Sequence, residues 1–470
     1  MSHKPDPSKN VNLTIDGKPV TVPEGTSILE AAKSVNINIP VLCDHPGLHE
    51  RALCRICVVE CDGRGKLVAA CANDVWEGVN IVTINKRLVN IRRTIIEMIL
   101  ANHPYDCLKC ARNKNCELQS LAANYGVVSS SFENESGKHE PVIESDTIVR
   151  DMDKCVKCAR CVEVCQEVQT IRAINTSRRS HEFEISTAYK QPLEDVGCVF
   201  CGQCAKVCPV SAIYGNDQSA QAWDALNDSS DAKATGIKTI AQVLPALSSV
   251  LETEFSLPAG TITKGKLAAA VKLLGFDRVY DASIAVNITV SGICSEINQR
   301  KNNSGYSLPI ISGCSQGVTR FIRNFYPDLE SHMSIGKNPR KLFASDIKNN
   351  YAKEAGLNSS DVTSVSFVPC LAQKYTSKSD KNDFTLTAEE LAKMIRLAGI
   401  MIETLPEDQF DVCNIFKDQS ADQPSVKKET INGFAKARKT MEAIQKGECD
   451  ADWVEILSCP NSNYSCGSCL

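Results

Sequence analysis

The chain has no long apolar run, no glycine-rich nucleotide loop and no strong charge of one sign, and each absence removes a class of function. No stretch of its 470 residues approaches about 18 uninterrupted apolar side chains, so a membrane span is not expected. It opens Met1-Ser2-His3-Lys4-Pro5-Asp6, polar and without the apolar core of a secretory leader, which argues against export and a disulfide framework. A net charge of -4 favours neither nucleic acid nor an anionic membrane surface as partner. Neither a GxGxxG turn nor a Walker sequence occurs, so nucleotide chemistry, if any, belongs to another subunit.

Cysteine is what the chain has in excess, 24 residues, most of them in tight CxxC groups. In a cytoplasmic chain that usage points to metal rather than to disulfides, and exposed thiolates favour a reducing, anaerobic cytosol. Length alone suggests about three domains; the motifs divide the chain into four modules.

In the first module, residues 9–85, Val11–Ile15 alternates apolar and polar side chains, Asp16-Gly17 is a two-residue turn signal and Pro19–Val22 reads as a second strand. Ser27 and Glu30 fit a capping box opening a helix through Leu29, Ala31, Ala32 and Val35. Cys43, Cys54, Cys57 and Cys71 follow, spaced C-x10-C-x2-C-x13-C. Hairpin, helix and cysteine loop in that order resemble plant-type ferredoxins, and the spacing resembles the binuclear domain at the front of iron-only hydrogenases and of the large cluster-bearing subunit of respiratory complex I. The resemblance implies a [2Fe-2S] cluster on soft thiolate ligands; the alternative is a zinc ribbon, which usually closes with two CxxC pairs. Cys61 falls between the ligand positions as a bystander.

In the second module, residues 86–125, Leu88, Ile91, Ile95, Ile96, Ile99 and Leu100 repeat at helical spacing up to His103-Pro104. The run His103-x3-Cys107-x2-Cys110-x5-Cys116 leaves a cubane one thiolate short, and the imidazole of His103 can fill that place. The same pattern marks a histidine-ligated [4Fe-4S] cluster in both families just named; the alternative is a zinc site of three cysteines and His103. In the third module, residues 145–216, Cys155-x2-Cys158-x2-Cys161-x3-Cys165 recurs as Cys198-x2-Cys201-x2-Cys204-x3-Cys208, only the second followed by a proline, Pro209. This is the bacterial two-cluster ferredoxin pattern, in which the fourth cysteine of each run serves the other cluster. One [4Fe-4S] cluster is therefore expected on Cys155, Cys158, Cys161 and Cys208, the other on Cys165, Cys198, Cys201 and Cys204.

In the fourth module, residues 235–470, Leu267–Val271 with Leu273-Leu274 reads as a helix and Gly275–Asp281 leads into a strand. That passage, Ser312-Gly313-Cys314-Ser315-Gln316-Gly317-Val318, Phe325-Tyr326-Pro327-Asp328-Leu329, Phe367-Val368-Pro369-Cys370 and Ile456-Leu457-Ser458-Cys459-Pro460 resemble the catalytic domain of iron-only hydrogenases. That family holds a cubane on four cysteines, one bridging to a two-iron subsite. Placed on the family pattern, the second and third ligands are Cys370 and Cys459. The first position is Ser315, the bridging position is Asn463, and Cys314 matches a neighbouring proton-relay cysteine. Serine and asparagine are hard, neutral donors and replace thiolate poorly. Gln373 stands where the family has a lysine that hydrogen-bonds a cyanide. Gly292 and Ile293 stand where it has paired acids, with Glu296 as the next relay carboxylate. The sequence ends Cys466-Gly467-Ser468-Cys469-Leu470 where the family continues glycine-rich.

The resemblance thus implies an α+β multidomain chain: a plant-type ferredoxin β-grasp domain, a small helical His-ligated cluster domain, a bacterial two-cluster ferredoxin domain, and an α/β hydrogenase-like C-terminal domain without the hydrogen-activating H-cluster. Cys314, Cys370, Cys459, Cys466 and Cys469 either carry an extra [4Fe-4S] cluster or persist as packed thiols; Cys294, Cys413 and Cys449 carry no motif. The family that fits best is the hydrogenase-like subunit of electron-bifurcating transhydrogenases of the Sporomusa type. It implies a hetero-oligomer with an NAD(P)-binding flavoprotein that carries FAD or FMN, a small thioredoxin-like [2Fe-2S] subunit, and ferredoxin as partner. The other readings are a hydrogenase using Ser315 and Asn463 as ligands, and a redox sensor, for which no output helix is legible.

Overall fold

The computed structural model describes residues 6–62, 67–132, 141–230, 238–244, 246–302, 307–336, 339–375, 383–412 and 426–460. Strands β1 (Asn10–Ile15) and β2 (Lys18–Pro23) form an antiparallel hairpin with Leu13 opposite Val20. Its turn, Asp16-Gly17, is left-handed at both residues, the conformation whose twist matches a two-residue hairpin. The alternation buries Val11, Leu13, Ile15, Val20 and Val22 against helix α1 (Ile28–Ser34). The Ser27 hydroxyl accepts the Glu30 amide at 3.2 Å, while the Glu30 carboxylate meets that hydroxyl at 3.4 Å. The expected cap is therefore formed by its serine half. Strands β3 (Val58–Cys61), β4 (Leu67–Ala69) and β5 (Asn80–Val82) complete a sheet ordered β2-β1-β5-β3-β4.

Helix α2 (Lys86–Ala101) turns Leu88, Ile96 and Leu100 inward, as its periodicity requires, but also buries Arg92. The Arg92 guanidinium donates to the carbonyls of Val58 at 2.7 Å and Thr83 at 2.9 Å, which ties the helix to the first sheet. Helix α3 (Glu117–Tyr125) packs on α2 and ends at left-handed Gly126. The third module contains β6 (Val142–Ile143), β7 (Ile148–Arg150), α4 (Arg160–Glu163), β8 (Asn175–Ser177), β9 (Glu184–Ser186), α5 (Gln203–Lys206) and β10 (Ile213–Gly215). Its strands pair β10-β7-β6 and β8-β9, and the inserted passage between the cysteine runs supplies the second pair.

The remainder alternates helix and strand: α6 (Ser219–Ser230), β11 (Lys238–Val243), α7 (Leu247–Phe255), α8 (Lys264–Leu273), β12 (Arg278–Asp281), α9 (Ser283–Asn302), β13 (Ile310–Gly313) and α10 (Gln316–Phe325). Then come α11 (Pro339–Leu342), α12 (Lys348–Ala355), β14 (Val362–Val368), α13 (Leu371–Lys374), β15 (Phe384–Thr387), α14 (Ala388–Leu397), β16 (Lys428–Asn432), α15 (Phe434–Gln445) and β17 (Trp453–Leu457). These strands make two sheets, β12-β11-β14-β15 and β13-β17-β16, parallel at every pairing. Helices cover the strands, so residues such as Ala241, Val243, Val365 and Phe367 are buried with α7, α8 and α14. Ala222 and Leu226 of α6 join that core. Among the described residues no helix is long and apolar enough to cross a membrane.

Parallel pairing has one consequence for the site. It gathers strand carboxyl ends on one side, where α/β folds place their chemistry. Cys314 and Ser315 follow β13, Pro369-Cys370 follows β14, and Ser458-Cys459 follows β17.

Candidate metal centres

The four cysteines of the first module approach one another from separate elements. Cys57 leads into β3, Cys71 lies in a single 3-10 turn, and the loop bearing Cys54 turns through left-handed Ala52 and Arg55. The sulfurs of Cys57 and Cys71 stand 3.4 Å apart. Hydrogen bonds from the Cys54 and Cys71 thiols pull Cys43 down to about 2, and the Cys71 thiol brings Cys57 down to about 7. Cys54 and Cys71 move upward in turn, held protonated mainly by the hydrogen bond each gives to Cys43. Cys61 is buried in the module's core, beside the set.

In the second module His103 follows the end of α2, Cys116 forms the amino-terminal cap of α3, and Cys107 is exposed. The Nδ1 atom of His103 is buried without a hydrogen-bond partner. Burial lowers the imidazole's pKa, so the ring is neutral at pH 7, the form that can donate a lone pair. Lys154 reaches over from the third module to Asp106 at 3.4 Å and Asp151 at 2.9 Å.

The third module carries the clearest geometry. Its two cysteine runs repeat in backbone as well as in sequence: Lys157 and Ala159 are left-handed around Cys158, and Phe200 and Gly202 are left-handed around Cys201. The same turn aims the Lys157 amide at the Cys155 sulfur and the Phe200 amide at the Cys198 sulfur, both at 3.4 Å. Cys155, Cys158, Cys161 and Cys208 line one cavity of about 330 Å³, whose other walls include Met152, Ile185 and Val210. Cys165, Cys198, Cys201 and Cys204 line a second of about 340 Å³ with Ile148, Val164 and Ile171. The fourth cysteine of each run thus stands in the other run's cavity.

Burial in these walls pushes Cys155 up to about 11 and Cys158, Cys198 and Cys201 up to about 12, and raises Cys161 and Cys204 well above the ordinary thiol value. An apolar cavity with four thiols suits a group that binds thiolates and displaces their protons, as iron does. The donor set fits iron–sulfur clusters. Among the described residues no three or more His, Cys, Asp or Glu side chains are grouped to hold a single metal ion.

At the carboxyl ends of the parallel sheets, Ser315 is buried and its hydroxyl shares a hydrogen bond of 2.8 Å with that of Ser458. The Ser458 amide donates to the Cys314 sulfur at 3.4 Å, and its carbonyl accepts from Gln169 at 2.7 Å. Cys370 forms the cap of α13, with Gln373 buried in that turn. Glu296 is fully engaged: Arg300 and the Ser334 hydroxyl bind it at 2.6 and 2.9 Å. Gly292 and Ile293, in the place of the paired acids, lie within α9. Asn463, Cys466, Cys469 and Cys413 lie outside the described residues, Cys294 is buried and Cys449 half-buried.

The second cavity abuts the residues that follow these strands. A side chain on Gly202 would meet the Leu371 Cβ at 2.6 Å, and one on Gly317 would meet the Val199 carbonyl. Phe200 stacks on Tyr375 with ring centres 4.2 Å apart, and Arg320 donates to the Cys198 carbonyl at 2.8 Å. Gln169, which receives the Phe434 amide and donates to Ser458, was not legible as a linker, because its partners lie 265 and 289 residues away.

Comparison with known proteins accords with this layout. The 2Fe-2S iron-sulfur cluster binding domain matches residues 8–86, the NADH-ubiquinone oxidoreductase-G iron-sulfur binding region residues 92–131, and the NADH-quinone oxidoreductase subunit 3 ferredoxin-like domain residues 145–214. The C-terminal domain of the iron only hydrogenase large subunit matches residues 237–422. The chain is 34% identical over 419 residues to the NADP-reducing hydrogenase subunit HndD of Solidesulfovibrio fructosivorans, covering 85% of this chain and 71% of that one. It is 30% identical over 410 residues to iron hydrogenase 1 of Clostridium pasteurianum, covering 85% and 70%. It is 35% identical over 208 residues to the NADPH-Fe(3+) oxidoreductase subunit alpha of Geobacter sulfurreducens, 43% of this chain and 24% of that one. With iron–sulfur modules in front and the hydrogenase domain behind, matched over most of their length in both of the longer relatives, the chain belongs to the iron-only hydrogenase large-subunit family.

Proposed function

We propose that this chain is the iron–sulfur electron-transfer subunit of a flavin-based, electron-bifurcating NAD(P)/ferredoxin oxidoreductase and has no hydrogenase activity. In this reading it relays electrons between ferredoxin and an NAD(P)-binding flavoprotein with FAD or FMN, beside a thioredoxin-like [2Fe-2S] subunit. Cys43, Cys54, Cys57 and Cys71 hold a [2Fe-2S] cluster; His103, Cys107, Cys110 and Cys116 hold a [4Fe-4S] cluster. Cys155, Cys158, Cys161 and Cys208 hold a third centre, and Cys165, Cys198, Cys201 and Cys204 a fourth. Such clusters supply one-electron carriers when bound. The chain's own residues supply thiolates, apolar walls that keep water out, and amides aimed at sulfur.

The observation that carries the reading is Ser315. A thiolate is needed at its position, yet its hydroxyl is buried and satisfied by Ser458. Cys370 and Cys459, at the ends of β14 and β17, are both half-buried. The role assigned in this reading is that of the hydrogenase-like subunit of a Sporomusa-type transhydrogenase; what supports it is that the names of three relatives, an NADP-reducing hydrogenase, an NADPH-Fe(3+) oxidoreductase and an NADH-quinone oxidoreductase, all describe nucleotide-linked oxidoreductases.

Purification with its genomic neighbours tests the proposal. The complex should contain flavin, carry about 14 irons on this chain, and reduce ferredoxin or NAD(P) in a flavin-dependent way. A preparation clearly below that iron content after anaerobic reconstitution, or one in which no flavoprotein exchanges electrons with the chain, contradicts it.

A further inference from the structure

Arg160 stands where three of the proposed centres meet. It lies between Cys158 and Cys161, and its side chain is only 3% exposed. The guanidinium grips the Glu117 carboxylate with two bonds, at 2.6 and 2.8 Å, and Glu117 directly follows Cys116. It also donates to the Asp44 carbonyl at 2.8 Å, next to Cys43, and to the Val207 carbonyl at 3.4 Å, next to Cys208. A planar fork with several fixed donors can make these contacts together; an ammonium cannot match the geometry.

The repeat supplies an internal comparison. The position equivalent to Arg160 in the second cysteine run is Gln203, also buried, in a turn with the same left-handed residues. The loop therefore does not need a cation. Only the first run carries a cation at this position, and that cation's own bonds reach both front modules. Its Nε is buried without a partner, and Glu117 remains 47% exposed, so water screens the carboxylate more than the guanidinium. An excess of positive potential remains on the inner side.

We propose that Arg160 is a positioning residue that locks the binuclear, histidine-bearing and third centres together and favours their reduced states through its buried charge. The inference rests on the ligand assignment proposed above. A fixed cation stabilises whichever state carries the additional electron, so its removal lowers the midpoint potential.

The test uses the full chain reconstituted anaerobically, with iron and sulfide counted before EPR-monitored redox titration. Arg160→Met should keep its iron and lower at least one front or third-centre midpoint by about 59 mV, a tenfold change in the reduced-to-oxidised ratio at fixed poise. Glu117→Gln should raise the same midpoint by less, Arg160→Lys should fall between Arg160→Met and wild type, and the Cys165/Cys198/Cys201/Cys204 centre should not move. Unchanged midpoints at full iron content, or shifts of the same sign in Arg160→Met and Glu117→Gln, overturn the proposal. If Arg160→Met does not assemble, Glu117→Gln decides: a raised midpoint supports it and an unmoved one overturns it. Wild-type iron clearly below about 14 instead removes the ligand assignment itself.

Discussion

Left-handed backbone at Lys157, Ala159, Phe200 and Gly202 shows how single residues shape the two-cluster module. Ala159 and Gly202 are equivalent in the repeat, yet only Gly202 faces Leu371, whose Cβ leaves no space for another side chain. Gly202→Ala therefore adds left-handed strain to a steric clash and should cost about 2–4 kcal/mol. Ala159→Gly relieves strain while loosening the unfolded chain, and should stay within about 1 kcal/mol of wild type. Calorimetry on the two variants checks the contrast; equal losses would place the glycine requirement in the turn alone. His103 offers a second test at this scale. Replacing its neutral imidazole with an anionic thiolate, in His103→Cys, should lower the potential of one cubane and leave the other clusters alone. An unchanged EPR titration would take His103 out of the ligand set. The ligand spacings were readable in the sequence because each set is written within a few tens of residues. Arg160, Arg92 and Gln169 were not, because a buried cation or amide looks like a surface residue until distant carbonyls surround it.

Among elements, the hairpin, α1, α2, α8 and β12 follow directly from alternation, turn chemistry and helical spacing. The pairing of β13 with β17 and of β11 with β14 does not, since parallel neighbours are chosen by packing over more than a hundred residues. That pairing nevertheless brings Cys314 and Ser315 beside Ser458 and Cys459 at neighbouring strand ends, while Cys370 follows a strand of the other sheet. The Ser315–Ser458 bond and the Ser458 amide on Cys314 tie two of the three strand ends together without metal. Cys459→Ser should accordingly leave the iron content near about 14 and lower stability by about 1 kcal/mol. Loss of about four irons in this variant would instead assign a fifth cubane to the crevice.

For the whole molecule, the front and rear halves are joined through the second cavity. Gln169, Phe200 and Gly202 meet Ser458, Tyr375 and Leu371, so the Cys165/Cys198/Cys201/Cys204 set sits directly against the strand ends. That contact leads to the hydroxyl pair of Ser315 and Ser458. We propose that the chain keeps its carriers and lacks a place to make hydrogen. The most direct measurement is gas chromatography of hydrogen from the reconstituted chain, first shown to hold about 14 irons, then supplied with synthetic two-iron subsite and reduced viologen. Hydrogen should be no greater than from a metal-free control. Sustained evolution above that control would mean that Ser315 and Asn463 support a working centre, and would contradict it.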